Sequence, residues 1–319
     1  MKVGVFMALF GNRPLNEALE YVASIGVQAV EIGTGGYVGD HLDRKALLQD
    51  ARMRKELRSK LDALGLALPA LSCHGNPLHP DQDVRNEFEQ AFQETVDLAN
   101  ALEVPTVITF SGCPGDSEQS RYPNWVTCPW PEDFLKVLQW QWDEKVLPYW
   151  SKTAERLNQK GVRVALEMHP GFVVYNPETL KRLRRVAGPA VGANLDPSHL
   201  FWQGIDPVAA IRDLSESIYH FHAKDTYINP ITNQVNGVLD TKHYGQERER
   251  SWLFRTIGYG HDAGVWSSII SALRIEGYDG ALSIEHEDSL MAQREGFEKA
   301  VAFLRGLVIS EPKTAMWWA

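Results

Sequence analysis

Glu167 in VALEMHP, Asp196 in VGANLDPSH, His222 in YHFHAKD and Glu285 in ALSIEHED are three carboxylates and one imidazole, each at the end of a strand-like run. Four such donors on successive strands make a hard, mostly oxygen site for a divalent ion, manganese first, with magnesium or cobalt as alternatives. A dication there would hold a carbonyl and a neighbouring hydroxyl and stabilise the charge left when an adjacent C–H loses its proton. Sugars are the natural substrates for that chemistry. Any one of these residues alone reads more readily as a cap or an ion-pair partner; the joint pattern carries the reading.

Parity supports it, because successive side chains of a strand point to opposite faces. Val164, Leu166 and Met168 share an apolar face, against Ala165, Glu167 and His169. Val191, Ala193 and Leu195 oppose Gly192, Asn194 and Asp196, while Tyr219, Phe221 and Ala223 oppose His220, His222 and Lys224. Leu282 and Ile284 oppose Ser283, Glu285 and Glu287. Four strands thus hide one face and converge their polar tips.

Further candidates surround these four. His169, two positions from Glu167, can serve as acid or base, and Glu167 with Glu285 could flank opposite faces of a bound sugar, as a two-base epimerase requires. His199 could orient a hydroxyl or cap the following helix. Lys224 is a substrate contact or the partner of Glu287, and His74 and Glu31 end the third and second strands, where they could bond substrate hydroxyls. GTGG lacks the GxGxxG spacing of a dinucleotide site.

The elements that must position these residues alternate strand-like and helix-like runs from end to end. They begin with VGVFMAL, the helix PLNEALEYVASIG, VQAVEIG and a charged helix ending near Gly65. LALPALSCHG, a helix near 83–102, PTVITFSG and a helix near 132–160 precede the four polar-tipped strands. Eight such units predict an α/β fold, a (β/α)8 barrel in one domain over 1–319 with its site at the carboxyl ends of the strands. Two stretches exceed ordinary loops. One, 111–131, leads through Trp125 and Trp130 toward Trp140, Trp142 and Trp150, aromatics that could wall a sugar or aryl pocket but read first as packing. The other, about 226–262, is expected to be a lid or docking insertion, with Arg255 as its substrate contact.

Composition narrows the partners. A net charge of -9 argues against nucleic acid. Three cysteines without a CxxC pair suggest neither a disulfide framework nor a thiolate zinc site, and point to a reducing cytoplasm. The apolar start VGVFMALF is too short to span a membrane and lacks a signal-cleavage pattern.

In LEMHP, NLDPSHL, HFHAKD and LSIEHED, over nearly its whole length, the chain resembles the sugar phosphate isomerase/epimerase superfamily of xylose isomerase-like TIM barrels, which includes D-tagatose 3-epimerases. The resemblance implies a metal on Glu167, Asp196, His222 and Glu285, and a substrate contact at His199. Apurinic-site endonucleases of the same superfamily use a richer ligand set and a basic surface, from which this acidic chain departs. LEMHPGFVVYN and the extended loop after the seventh strand look like the large subunits of C-glycoside deglycosidases. That likeness implies a lyase on 3-oxo-glycosides: a base, His169, removes the C2 proton and the aglycone leaves by β-elimination. It also implies a small second subunit, and the family a homo-oligomer. The competing expectations are an isomerase or epimerase of keto-sugars and, from another class, a non-catalytic sugar-binding subunit.

Overall fold

The computed structural model describes residues 1–318 and contains ten strands. They are β1 (Lys2–Phe6), β2 (Ala29–Gly36), β3 (Ala67–His74), β4 (Thr106–Thr109), β5 (Arg163–Glu167), β6 (Val191–Leu195), β7 (Ile218–Ala223), β8 (Asp225–Ile228), β9 (Trp252–Arg255) and β10 (Ala281–Ile284). Eight of them close into a barrel in the order β1-β10-β7-β6-β5-β4-β3-β2, every pairing parallel. This is the (β/α)8 barrel that the alternating pattern predicts.

Its closure follows from the two-faced strands. Val3, Val164, Leu166, Leu195, Leu282 and Ile284 are buried on the outer face, in one continuous core with helix residues such as Leu19, Leu183 and Ile269. Each such side chain contributes about 1.5–3 kcal/mol on full burial. The barrel interior is different: a small apolar plug of Ala70, Ile108 and Ala165 lies beneath polar residues. Tyr219 departs from the expected outward parity and packs on that plug. The register shifts where Ala193 pairs with Ile218 but Asn194 with His220, so Tyr219 is the extra residue of a bulge. Gly192 makes room for it, since a Cβ there would meet the Tyr219 ring at 2.5 Å.

Two predicted helices are subdivided. The charged helix before Gly65 is two, Arg44–Gln49 and Ala51–Ala63, because Asp43 and Asp50 each turn a carboxylate onto the following backbone N–H groups. The long helix over 133–160 runs through a π-turn at Gln141–Val146. Pro148 follows at once, and a proline that cannot donate to the preceding turn is a physical reason for the widened register.

The insertion after β7 has its own architecture. β8 and β9 pair antiparallel, Asp225 opposite Arg255 and Ile228 opposite Trp252, with a helix at Pro230–Asn236 between them. One buried carboxylate pins it: Asp225 accepts from the backbone N–H groups of Thr226, Gly258, Gly260 and His261, the His261 ring and the Trp266 indole. Trp252 also stacks on Trp202 at 4.7 Å. No helix among the described residues is long and apolar enough to cross a membrane.

Candidate metal centre and adjoining cavity

Strand length decides which side chains meet. β5 ends on Glu167, β10 stops one residue before Glu285, and His222 lies next to last in β7. Asp196 follows β6 directly and caps the helix Pro197–Trp202, its Oδ1 accepting from the Ser198 N–H. One ligand atom from each of these four residues lies within 4.8 Å of the others. His222 Nδ1 is 2.8 Å from Glu285 Oε2 and 3.3 Å from Glu167 Oε2.

The donor set suits a hard dication. Asp196 Oδ2, His222 Nδ1 and Glu285 Oε2 are buried and make close charged contacts but no well-aligned hydrogen bond, and buried polar atoms normally make one. The electrostatics are uneven. Burial and the neighbouring Glu285 and Glu167 push Asp196 up to about 7, against the pull of Lys224. Burial also resists charge on Glu285, but Lys224 and His222 bring it down to about 2. Glu167 is buried too, yet bonds from His199, His222 and His74 hold it well below the ordinary carboxylate range. For His222 the desolvation is overcome by Glu31 and Glu285, which raise it well above an ordinary imidazole. A divalent cation would relieve the crowding that raises Asp196.

Lys224 pairs with Glu287, one of the two roles its position allowed, and lies among the carboxylates. Its Nζ is 3.2 Å from Asp196, 3.0 Å from Glu285 and 3.2 Å from Glu287, and 4.6 Å from the centre of the Phe254 ring. Arg255 is likewise engaged: its Nε donates to both oxygens of Asp288, at 3.1 and 3.0 Å. Glu31 requires a correction. It is wholly buried, with Oε2 at 2.9 Å from both His220 Nε2 and His222 Nε2, and Ser72 Oγ donating to Oε1. β2 runs on to Gly36, so Glu31 does not end its strand as the sequence suggested, and its carboxylate is taken up by Ser72, His220 and His222. Burial opposes its charge, but His222 and His220 outweigh that and keep it ionised.

His74 and His199 both face Glu167, His74 Nε2 at 3.0 Å from Oε2 and His199 Nε2 at 3.1 Å from Oε1. Burial, reinforced by His169 and Lys224, lowers His199 to about 3, so its ring is neutral. Asn194, which sequence reasoning placed inward without a role, donates to Glu167 Oε2 at 3.2 Å.

His169 is the one of these imidazoles that borders open space. Its Nδ1 is 2.6 Å from the Pro170 carbonyl oxygen, which can only accept. Nδ1 therefore carries the proton and Nε2 a free lone pair. Burial also lowers its pKa, favouring the neutral ring. The adjoining cavity, about 800 Å³, is lined by His169, Glu287 and Asp288 on a polar side and by Tyr244, Leu253 and Phe254 of the insertion on an apolar one. Those three walls were missed from sequence, although the apolar run SWLFR in a polar insertion was the signal for Leu253 and Phe254. The tryptophans at 125–150 do not line this cavity; Trp142 and Trp150 are core residues and Trp130 is exposed.

The family model for the xylose isomerase-like TIM barrel matches residues 19–307. YfiH of Bacillus subtilis, an uncharacterized protein, is 37% identical over 96% of this chain and 98% of its own. The rhizopine catabolism protein MocC of Rhizobium meliloti is 28% identical over 88% of this chain and 76% of its own. Among solved structures, YcjR of E. coli, a 3-keto-D-glucoside 4-epimerase, superposes with a TM-score of 0.63 at 14% identity, covering 96% of this chain and 99% of that one.

Proposed function

We propose, from the premise that this chain belongs to the xylose isomerase-like TIM-barrel family, that it is a divalent-metal-dependent carbohydrate enzyme that removes a proton beside a carbonyl, and specifically a lyase on 3-oxo-glycosides. The observation that carries this reading is His169, whose Nδ1 is held by the Pro170 carbonyl oxygen and whose ring lines the cavity beside the carboxylate cluster. A metal held by Glu167, Asp196, His222 and Glu285, with manganese preferred, would lend Lewis-acid stabilisation to the charge that develops on the carbonyl oxygen.

The chain's own residues supply the rest. His169 Nε2 takes the C2 proton of the sugar; the C2 electron pair forms the C1–C2 double bond, the C1–aglycone bond breaks with its electrons on the aglycone, and the aglycone carbon takes a proton back from the His169 imidazolium, which restores the neutral ring. His199, neutral and bonded to Glu167, lies with its ring 4.1 Å from that of His169. The apolar wall of Tyr244, Leu253 and Phe254 favours a lyase, because a leaving group needs a dry surface to occupy. The reading of an epimerase on a keto-sugar is favoured by Glu167 and Glu285, which approach His222 Nδ1 together and could serve opposite faces of a sugar. Chromatography of a 3-oxo-C-glycoside incubated with the Mn²⁺-loaded protein separates them. Free aglycone is expected; a new epimer with the aglycone still attached would replace the lyase reading.

A further inference from the structure

The cavity beside the metal centre carries a charged group that the proposed reaction does not use. Glu287 lines it, two residues beyond Glu285. Lys224 Nζ reaches both carboxylates, at 3.0 Å from Glu285 and 3.2 Å from Glu287. Lys224 itself is buried and also contacts Asp196, so Glu287 stands one ammonium away from two of the four metal donors. That bond takes Oε2 alone, and among the described residues Lys224 is the one hydrogen-bond partner of Glu287. With 52% of its side chain exposed on the cavity wall, the carboxylate is held from behind and open in front. Its charge also reaches the other walls. After burial, Glu287 is the largest influence raising the Tyr244 phenol, and burial lowers His169 against the pull of Glu167 and, more weakly, of Glu287.

The rest of the wall offers no opposite charge. None of the described residues that line the cavity is a lysine or an arginine. Lys224 and Arg255, which contact the lining residues Glu287 and Asp288, are both engaged: Lys224 by three carboxylates, Arg255 by both oxygens of Asp288. Burial lowers both lining imidazoles, His169 and His286. A carboxylate accepts hydrogen bonds and donates none, so a ligand at Glu287 has to bring donors, and the hydroxyls of a sugar are such donors. A phosphate or carboxylate on the ligand would bring like charge instead, with no free cation to offset its desolvation.

We infer that Glu287 is a specificity residue, which accepts hydrogen bonds from the hydroxyls of an uncharged sugar and excludes phosphorylated and uronic sugars from the cavity. Glu287 has this role on the reading that the cavity takes a carbohydrate, whether the enzyme is a lyase or an epimerase.

Calorimetric titration of the Mn²⁺-loaded full chain with 4-nitrophenyl β-D-glucoside and with its 6-phosphate tests the assignment. Neither probe has a carbonyl beside a C–H, so affinity is read apart from turnover. The wild type should bind the neutral glycoside at least about tenfold more tightly than the phosphate. Glu287→Gln keeps the size and one acceptor but loses the charge; it should weaken the neutral glycoside by about tenfold and shrink its advantage over the phosphate by about as much, with Mn²⁺ affinity unchanged. Equal wild-type affinity for the two probes, or undiminished discrimination in Glu287→Gln, would overturn the role of Glu287 and leave the carbohydrate reading intact. A fall in Mn²⁺ affinity alone would make Glu287 a support for Lys224 and the metal ligands instead. No binding of either probe at about 10 mM would overturn the role and the carbohydrate reading together.

Discussion

His169 and Glu31 show how much a single hydrogen bond assigns. The Pro170 carbonyl fixes the proton on Nδ1 of His169 and leaves Nε2 as a base. Replacing His169 with Asn should therefore slow C2 deprotonation by ~10²–10⁴ while Mn²⁺ affinity, measured by calorimetry, stays unchanged; an equal loss of metal affinity would place His169 among the ligands instead. Glu31 does the converse for His222. It occupies Nε2 from below, so that Nδ1 faces the other three donors. Carboxylates that orient a ligating imidazole typically account for 10–100-fold in metal affinity, so Glu31→Gln should weaken Mn²⁺ binding by about that factor with little change in Tm. A purely structural Glu31 would move Tm and leave the affinity alone.

At the scale of elements, the insertion is held by carboxylates rather than by a large core. Asp225→Ala would leave the N–H groups of Gly258, Gly260, His261 and Trp266 without their acceptor. A cost of about 3 kcal/mol or more is expected, read as faster proteolysis within 229–251 than in the barrel. Asp240 reports on acid. Burial resists its charge, but bonds from Lys242 and Ser251 bring its pKa down to about 2, from an ordinary 3.8. A depressed carboxyl contributes stability that is present above the ordinary value and lost as pH falls through the lowered one. The near-UV circular dichroism of the Trp202–Trp252 stack should accordingly survive acidification further in the wild type than in Asp240→Asn. This level was the least legible in the sequence. β8 finds β9 across a gap of more than twenty residues, and Arg255 finds Asp288 across thirty-three; no local periodicity encodes either pairing. The Tyr219 bulge and the length of β2 beyond Glu31 escaped for the same reason, since each is set by the neighbouring strand. The four strand tips were legible because strand parity is local, and four local signals agreed.

For the molecule as a whole, closure of the barrel brings β5, β6, β7 and β10 side by side, so donors separated by more than a hundred residues share one small volume. Each strand alone holds one donor, and the site exists only when the sheet is closed. Metal binding should then stabilise the entire fold, by roughly 2.7 kcal/mol at a hundredfold excess of Mn²⁺ over Kd, seen as a rise of several degrees in Tm. Asp196→Asn should abolish that rise. The exchange of the C2 proton of a 3-oxo-C-glycoside in D₂O, followed by proton NMR with metal-free and Mn²⁺-loaded protein, tests the central claim most directly. The loaded wild type should lose the C2 signal while the metal-free protein and loaded His169→Asn retain it; equal exchange by the thoroughly metal-free protein, or none by the loaded wild type, would contradict it.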